Sequence, residues 1–338
     1  MQNTNNILEI KNLKVHFEID ANLLDIESES SRINFFAVDD VSFEIKENET
    51  LGIVGESGSG KSVTAFSILR LIPSPPGFIS GGKILFGGKD LLLASDNEMH
   101  NIRGKLISIV PQEPFSSLNP VMSIGEQISD AISAHNPDLS ADEIKEKAID
   151  ILKQTEIHDA EKSFFLYPHQ FSGGMLQRVV IAIAIVNQPV LLIADEPTTS
   201  LDSITQENIL NLIHKIKEST SSSSLLLISH DLRVIKKYCD RVIVMYAGMI
   251  QETGAVNEIY YSPKHPYTKG LIESLTFTKD ENGNLKYIKG NVPGFHTHKD
   301  ECSFAPRCPF ASDKCFNELP DLKNISETQS VRCHLYND

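Results

Sequence analysis

Apolar and polar positions alternate with a period of two over residues 7–17 (ILEIKNLKVHF) and again over 38–45 (VDDVSFEI), the pattern of strands buried on one face. Between them, residues 20–34 are acidic and Ser-rich and predict an exposed hairpin tip or loop. Residues 50–54 (TLGIV) read as a short buried strand running into a glycine-rich turn. Residues 62–72 then predict a helix with Val63, Phe66, Leu69 and Ile72 toward one face, stopped by Pro73. From 115 to 167 the period is helical with breaks at Pro120 and Pro137, which predicts an all-helical insertion. A helix at 174–187, a buried strand at 190–194, a helix at 204–217, a serine run at 221–224 and a strand at 225–229 follow. Strands alternating with helices predict an α/β fold with a mainly parallel sheet wrapped on both faces.

Composition narrows the class. The chain has 338 residues, 41% hydrophobic and 22% charged, an ordinary globular balance for roughly two structural units. No apolar run approaches the ~20 residues that cross a bilayer as a helix. The first residues lack the basic-then-apolar order of a secretory signal, so the expected location is the cytosol. A net charge of −14 repels phosphate backbones and weighs against a nucleic-acid partner. After Gly254 the composition shifts: a short helix opens at His265-Pro266-Tyr267, Pro and Gly become frequent, and Cys302, Cys308, Cys315 and Cys333 appear. The expected domains are a nucleotide-binding part at 1–254, with a helical subdomain at about 113–180, and a C-terminal extension at 255–338.

The chemistry begins at Gly55-Glu56-Ser57-Gly58-Ser59-Gly60-Lys61-Ser62. Glycines stand where the backbone must turn tightly and aim its N–H groups at an anion, and the next helix points its positive end there. Lys61 would reach the β- and γ-phosphates, and the Ser62 hydroxyl would ligate Mg²⁺. Asp195 and Glu196 close the strand at 190–194, placing two carboxylates at the sheet edge where ligands bind in such folds. Asp195 would hold Mg²⁺ through its water shell, and Glu196 would polarise the attacking water. These features predict NTP hydrolysis. Ser172-Gly173-Gly174 forms a second anion-facing helix start, with Ser172 as candidate N-cap. Two such ends exceed what one nucleotide requires. A head-to-tail dimer uses both, each chain's second helix end capping the γ-phosphate held by its partner's loop.

These residues resemble the ATP-binding-cassette (ABC) family. Phe171-Ser172-Gly173-Gly174-Met175-Leu176-Gln177-Arg178 is similar to its signature motif, Gln112 to the Q-loop glutamine, Ser200-Leu201-Asp202 to the D-loop, and His230 to the switch histidine. The resemblance implies a P-loop α/β domain with a mixed sheet, helices on both faces and a helical subdomain, followed by a small Cys-containing extension. It implies that Glu196, His230 and Gln112 serve catalysis, that Gln112 joins Ser62 and Asp195 at Mg²⁺, and that Asp202 belongs to the nucleotide site. It also implies that Phe17 stacks on adenine, with Phe35 or Phe36 as alternatives. Leu176 stands where the family has a polar or basic residue, and reads as a surface substitution affecting local packing more than catalysis. Residues 52–60 (GIVGESGSG), 114–120 (PFSSLNP), 167–174 (YPHQFSGG) and 262–268 (SPKHPYT) further resemble the ATP-binding subunits of oligopeptide and dipeptide importers. That group implies a peripheral protein on the cytoplasmic face of the membrane, two transmembrane permease subunits, and an extracytoplasmic substrate-binding protein. The second ATPase is a homologous subunit or a second copy of this chain. Imported di- or oligopeptides are the leading substrate, with a nickel chelate or other small solute as the alternative. The helical insertion would dock on the permeases, and ATP would close the dimer.

In a cytosolic chain, four clustered cysteines favour a metal site over disulfides. Their spacings are too wide for a CxxC zinc finger, and four thiolates suit an iron–sulfur cluster. The resemblance to peptide importers favours [4Fe–4S], with zinc second and free thiols as the remaining alternative. Cys239 lies apart and reads as a packed thiol. A soluble ABC ATPase of DNA repair or translation would carry long coiled-coil insertions or tandem cassettes, and neither is present. A P-loop GTPase would show Asn-Lys-x-Asp, which does not occur, and would have no use for Ser172-Gly173-Gly174.

Overall fold

The computed structural model describes residues 6–20, 32–219, 223–276, 279, 284, 286–291 and 300–336. The chain divides into two compact units. The first comprises Met1–Lys46, Thr50–Leu93 and Ile228–Asp338, the second Glu47–Glu49 and Ala94–Leu227.

The first unit opens with β1 (Asn6–Asp20) and β2 (Arg32–Lys46), paired antiparallel. Leu8, Ile10, Leu13, Val15, Val38 and Val41 are buried, the inward half of the period-two pattern. Arg32, Ile33 and Asn34, expected in a loop, instead extend β2 and pair with Asp20, Ile19 and Glu18; residues 21–31 lie outside the described residues. β3 (Thr50–Val54) is buried at every position and leads to α1 (Lys61–Ile68). Helix α1 ends a turn earlier than the sequence pattern predicts, with Leu69 as C-cap and Arg70 at φ 52°. Its buried side carries Thr64, Ala65, Ser67 and Ile68, whereas Val63 and Phe66 are half-buried. The two hydroxyls can face the core because Thr64 donates to Gly60 O at 2.9 Å and Ser67 to Val63 O at 2.7 Å, so neither hydroxyl is buried without a partner. β4 (Gly77–Phe86) and β5 (Lys89–Asp90) complete an antiparallel sheet in the order β2-β1-β4-β5.

The second unit runs from α2 (Asp96–Ile102) through β6 (Ile107–Val110) into the expected helical insertion of α3 (Pro114–Ser117), α4 (Ile124–Ser133), α5 (Ala141–Gln154) and α6 (Ala160–Ser163). Capping boxes start α4 (Ser123 with Glu126) and α5 (Ser140 with Glu143), each satisfying two orphan N–H groups. Then come α7 (Gly173–Ile185), β7 (Leu191–Asp195), α8 (Ser203–Ser219) and β8 (Ser224–Ser229), with the unit boundary falling after Leu227. β6 and β7 are parallel, and the order here is β8-β7-β6.

The chain returns to the first unit with α9 (Leu232–Tyr238), β9 (Arg241–Tyr246), β10 (Met249–Ala255), α10 (Val256–Tyr261), α11 (Pro266–Leu275), β11 (Leu322–Asn324) and β12 (Ser330–Arg332). The order in this unit is β11-β12-β10-β9-β3, parallel only between β3 and β9. The architecture is therefore α/β with mixed strand directions, as the family resemblance implies, and the antiparallel pairs are the part that strand–helix alternation alone does not predict. The cause at β9 and β10 is local: Ala247 at φ 52° and Gly248 at φ 78° form a two-residue turn with both positive angles, which joins antiparallel strands. Among the described residues no helix is long and apolar enough to cross a membrane.

Candidate nucleotide-binding site

The loop between β3 and α1 is shaped by positions where a side chain is excluded. A Cβ at Gly55 would collide with the Met245 carbonyl, and one at Gly60, which holds φ 96°, with the Ala37 carbonyl. Gly58, at φ 78°, faces open space. Gly60 is the N-cap of α1 and supplies no side-chain cap, and no acidic residue sits in the first turn. The positive end of the helix is thus uncapped by any side chain, and its dipole favours negative charge there. Lys61 is 4% exposed and donates from Nζ to Gly55 O at 2.9 Å and Glu56 O at 3.0 Å. Ser59 is buried and its Oγ has no hydrogen-bond partner. An orphaned hydroxyl, an ammonium folded on its own loop and a capless helix end make a cradle that fits a polyphosphate.

In the second unit, β7 delivers Asp195 at 1% exposure. Glu196 follows at φ 44°, a left-handed conformation that costs a non-glycine residue about 1–3 kcal/mol. Its carboxylate accepts from Thr199 Oγ1 at 2.8 Å, and its carbonyl accepts from the Thr199 N–H at 3.3 Å. The sequence reading missed Thr199 as the group that fixes the Glu196 rotamer; the hydroxyl three positions on was the available signal. Asp202 spends both oxygens on α8, accepting from the Ile204 and Thr205 N–H groups at 3.1 Å each and from Thr205 Oγ1 at 2.7 Å. These bonds, the Thr205 hydroxyl first, hold its carboxyl below the usual range.

Ser172 is the N-cap of α7, its Oγ accepting from the Met175 N–H at 3.4 Å. Gly174 is required by packing, since a Cβ would lie 2.7 Å from Thr205 Cγ2. Leu176 is fully buried, which corrects the surface reading: an apolar residue is used here because it joins the core under α7. Arg178 anchors the same helix by donating to Thr155 O at 3.1 Å and Glu156 Oε2 at 2.7 Å. Gln112 is exposed between β6 and α3.

Of the aromatic candidates in the first unit, Phe17 is half-buried and lies opposite Phe35 on β2 and Gly77 on β4. Opposed residues share a face, so Phe17 and Phe35 lie on one side. Phe36 is on the other, with its ring centroid 5.6 Å from His16, which stacks on Phe78 at 5.5 Å. His230 is exposed and directly follows β8.

The C-terminal part of the first unit places Cys302, Cys308, Cys315 and Cys333 around one cavity of about 260 Å³. The cysteines are free; burial pushes the Cys302 thiol up to about 11 and raises Cys308 and Cys333. Among the described residues no group of three or more His, Cys, Asp or Glu is arranged to hold a metal ion. The donor set has the composition for a cluster, but it does not converge as ligands. Cys239 is buried, with its sulfur 3.0 Å from where a Cβ on Gly52 would sit, in keeping with a packed thiol.

Comparison with known proteins agrees with this geometry. An ABC transporter family profile matches residues 38–199, and one for the oligopeptide/dipeptide transporter C-terminal region matches residues 251–315. The chain is 42% identical over 332 residues to the oligopeptide transport ATP-binding protein AppD of Bacillus subtilis (strain 168), covering 98% of this chain and 97% of that protein. It is 45% identical over 300 residues to the oligopeptide transport ATP-binding protein OppD of the same organism, covering 88% and 83%. Among solved structures it is similar to the dimeric post-hydrolysis state of the ATP-binding cassette MJ0796 bound to ADP and Pi, with TM-score 0.62 and 28% identity over 74% of this chain and 98% of that one. With a phosphate cradle, a signature-type helix start and full-length relatives of this kind, the chain belongs to the ABC transporter family, as an ATP-hydrolysing subunit of its oligopeptide/dipeptide-transporter group.

Proposed function

We propose that this protein energises peptide import by closing and opening a cassette dimer against a pair of permease subunits. The observation that carries the reading is the loop at residues 55–62, where a capless helix end, the buried Lys61 and the orphaned Ser59 Oγ converge. The peptide substrate is supported by the names of the relatives and by the match of residues 251–315.

In this reading residues 1–254 bind nucleotide and residues 255–338 are the extension that marks the importer group. Backbone N–H groups of residues 57–62 cradle the phosphates, Lys61 turns from its own loop carbonyls to the β- and γ-phosphates, and Phe17 stacks on the base. Mg²⁺, when bound by Ser62 with Gln112 and Asp195, neutralises charge on the phosphate oxygens. Glu196 accepts a proton from the attacking water, and Thr199 keeps its carboxylate aimed. His230 orients the γ-phosphate. Ser172 and Gly174 meet the γ-phosphate held by the other subunit, a homologous ATPase or a second copy, and Asp202 shapes that interface. The helical region at 113–180 docks on the permeases at the cytoplasmic face of the membrane, and an extracytoplasmic binding protein supplies the solute. Binding closes the dimer and hydrolysis releases it, a two-state switch biased by its ligand.

The test is reconstitution with the permease pair and binding protein in liposomes. Added oligopeptide should stimulate ATP hydrolysis and accumulate inside; stimulation by a nickel chelate and not by peptides would overturn the substrate assignment.

For the four cysteines of the extension we propose a [4Fe–4S] cluster, with zinc second and free thiols as the remaining alternative; a cluster would need the thiols to converge further than they do here. Support rests on their composition and shared cavity, and no step of the mechanism runs through the group. Iron and sulfide in anaerobically purified protein would bear this out. Zinc in their place, or a colourless, metal-free sample, would overturn it.

A further inference from the structure

We infer that Arg307, with Tyr267, is a positioning residue for ATP: the C-terminal extension holds the phosphate loop in place through Glu56. This rests on the reading of residues 55–62 as the ATP site.

The polar atoms of Glu56 are committed. Its carboxylate takes a two-pronged pair of bonds from Arg307, Nη1 to Oε2 at 2.6 Å and Nη2 to Oε1 at 3.1 Å. Its N–H donates to the Tyr267 hydroxyl at 2.9 Å. Its carbonyl accepts from Lys61 Nζ at 3.0 Å and from the Ser59 N–H at 3.2 Å. One residue of the loop is thus fixed by the extension on two sides and by the loop's own lysine on the third.

Arg307 is built to do this. Its side chain is 5% exposed against 29% for Glu56. Its remaining donors are spent, Nε on Lys289 O at 3.0 Å and Nη2 on Ile288 O at 3.4 Å, while Nη1 also reaches the Tyr246 hydroxyl at 3.4 Å. The guanidinium lies over the Tyr246 ring at 5.7 Å, and Tyr246 packs on Tyr267 at 4.7 Å between centroids. A planar fork so held presents one orientation to a carboxylate, which an ammonium does not reproduce. Both anchors lie within residues 251–315, so the segment that marks the importer group also carries the loop's supports.

The consequence is electrostatic as well as geometric. An unpaired carboxylate in the second position of the loop would repel a polyanion arriving at the same backbone. Pairing it removes that repulsion and fixes the peptide from which the phosphate-binding turn departs. The support is the same in the ground and transition states, so it acts on KM for ATP rather than on kcat.

The experiment measures ATP binding and steady-state hydrolysis by the full chain, with folding checked by circular dichroism and thermal melting. Arg307→Ala should raise KM for ATP about tenfold with kcat within about twofold, and Arg307→Lys should recover only part of the loss. Adding Glu56→Gln to Arg307→Ala should restore most of the affinity, because the stranded charge is gone; a merely structural arginine would not be rescued in this way. Tyr267→Phe, which removes only the acceptor for the Glu56 N–H, should raise KM by a smaller factor and gives the test if Arg307→Ala does not fold. A folded Arg307→Ala chain with unchanged KM, or a double variant no better than the single one, overturns the inference while Lys61→Ala still weakens ATP binding by about 10-fold or more. A wild-type chain that binds no ATP overturns the inference and the nucleotide reading together.

Discussion

Helix α1 starts at Gly60, with φ 96° and no side-chain cap, whereas α7 starts at Ser172, in extended backbone, with its Oγ accepting from the Met175 N–H at 3.4 Å. Neither first turn carries an acid, so the positive end of each helix is left unneutralised by its own sequence. At α1 the uncapped helix end, the buried Lys61 and the orphaned Ser59 Oγ belong to one loop, which in the proposed function binds the anion without help from α7. At α7 one donor is already satisfied, and what the serine keeps is its own hydroxyl proton. It can accept from the helix and donate to a phosphate oxygen together, but only to a phosphate brought to it. In the proposed function the first turn captures nucleotide and the second reads whether it has arrived.

The largest effect that sharpens this contrast is at the residue neither turn contains. Glu196→Gln removes the proposed proton acceptor and leaves both helix ends intact. Hydrolysis should fall by about 10²–10⁴ while ATP affinity stays within a few fold and a dimer accumulates on size-exclusion chromatography with ATP. Turnover at the wild-type rate would show that Glu196 is not the base. Next in size, Lys61→Ala strips the capturing turn of its cation. Loss of charge-assisted bonds worth roughly 1.5–3 kcal/mol lowers ATP affinity about 10–150-fold, read by titration of the isolated subunit; unchanged affinity would break the assignment of capture to α1.

Both helix starts were legible in the sequence, because the glycines and the serine that shape them are neighbouring residues. The strand before each acid and the helical insertion were legible for the same reason. What escaped was long-range. Arg307 lies 251 positions from Glu56, and no local pattern links them. The face of α1 was misread because Thr64 and Ser67 bond back to their own helix and so can be buried, while Leu176 was misread because a family comparison cannot see what lies beneath α7. The antiparallel strands after β9 depend on the positive angles at Ala247 and Gly248, and alanine gives no warning of one.

The capturing turn also leans on the extension, and that support titrates. His265 is 1% exposed, its Nδ1 accepts from the Tyr267 N–H at 3.0 Å, and burial pushes it down to about 3. In the unfolded chain it titrates near ~6.5. Between those values the unfolded state binds the extra proton, so stability is full above about 6.5 and falls as pH drops toward 3. From pH 7 to pH 5 this group removes about 2 kcal/mol. Chemical unfolding at both pH values should show that loss in the wild type and a flatter response in His265→Asn, which keeps an acceptor but no titrating group. An equal slope in both chains would remove His265 from the account.

The smallest expected effect lies at α7 and separates the two roles of one hydroxyl. Ser172→Ala deletes the cap, at a cost of about 1 kcal/mol, seen as a modest fall in melting temperature. It also deletes the only proton that this turn's side chains can offer a phosphate. Ser172→Asn keeps a capping oxygen at a different reach, so it should restore the melting temperature without restoring hydrolysis. In both variants ATP binding by the isolated subunit should match wild type, because α1 captures nucleotide without α7, while hydrolysis in the assembled transporter falls about tenfold through loss of a single bond worth roughly 1.5 kcal/mol. If Ser172→Ala weakened ATP binding in the isolated subunit by the same factor, both turns would be gripping one nucleotide within one chain, and the division between capture and reading would fail.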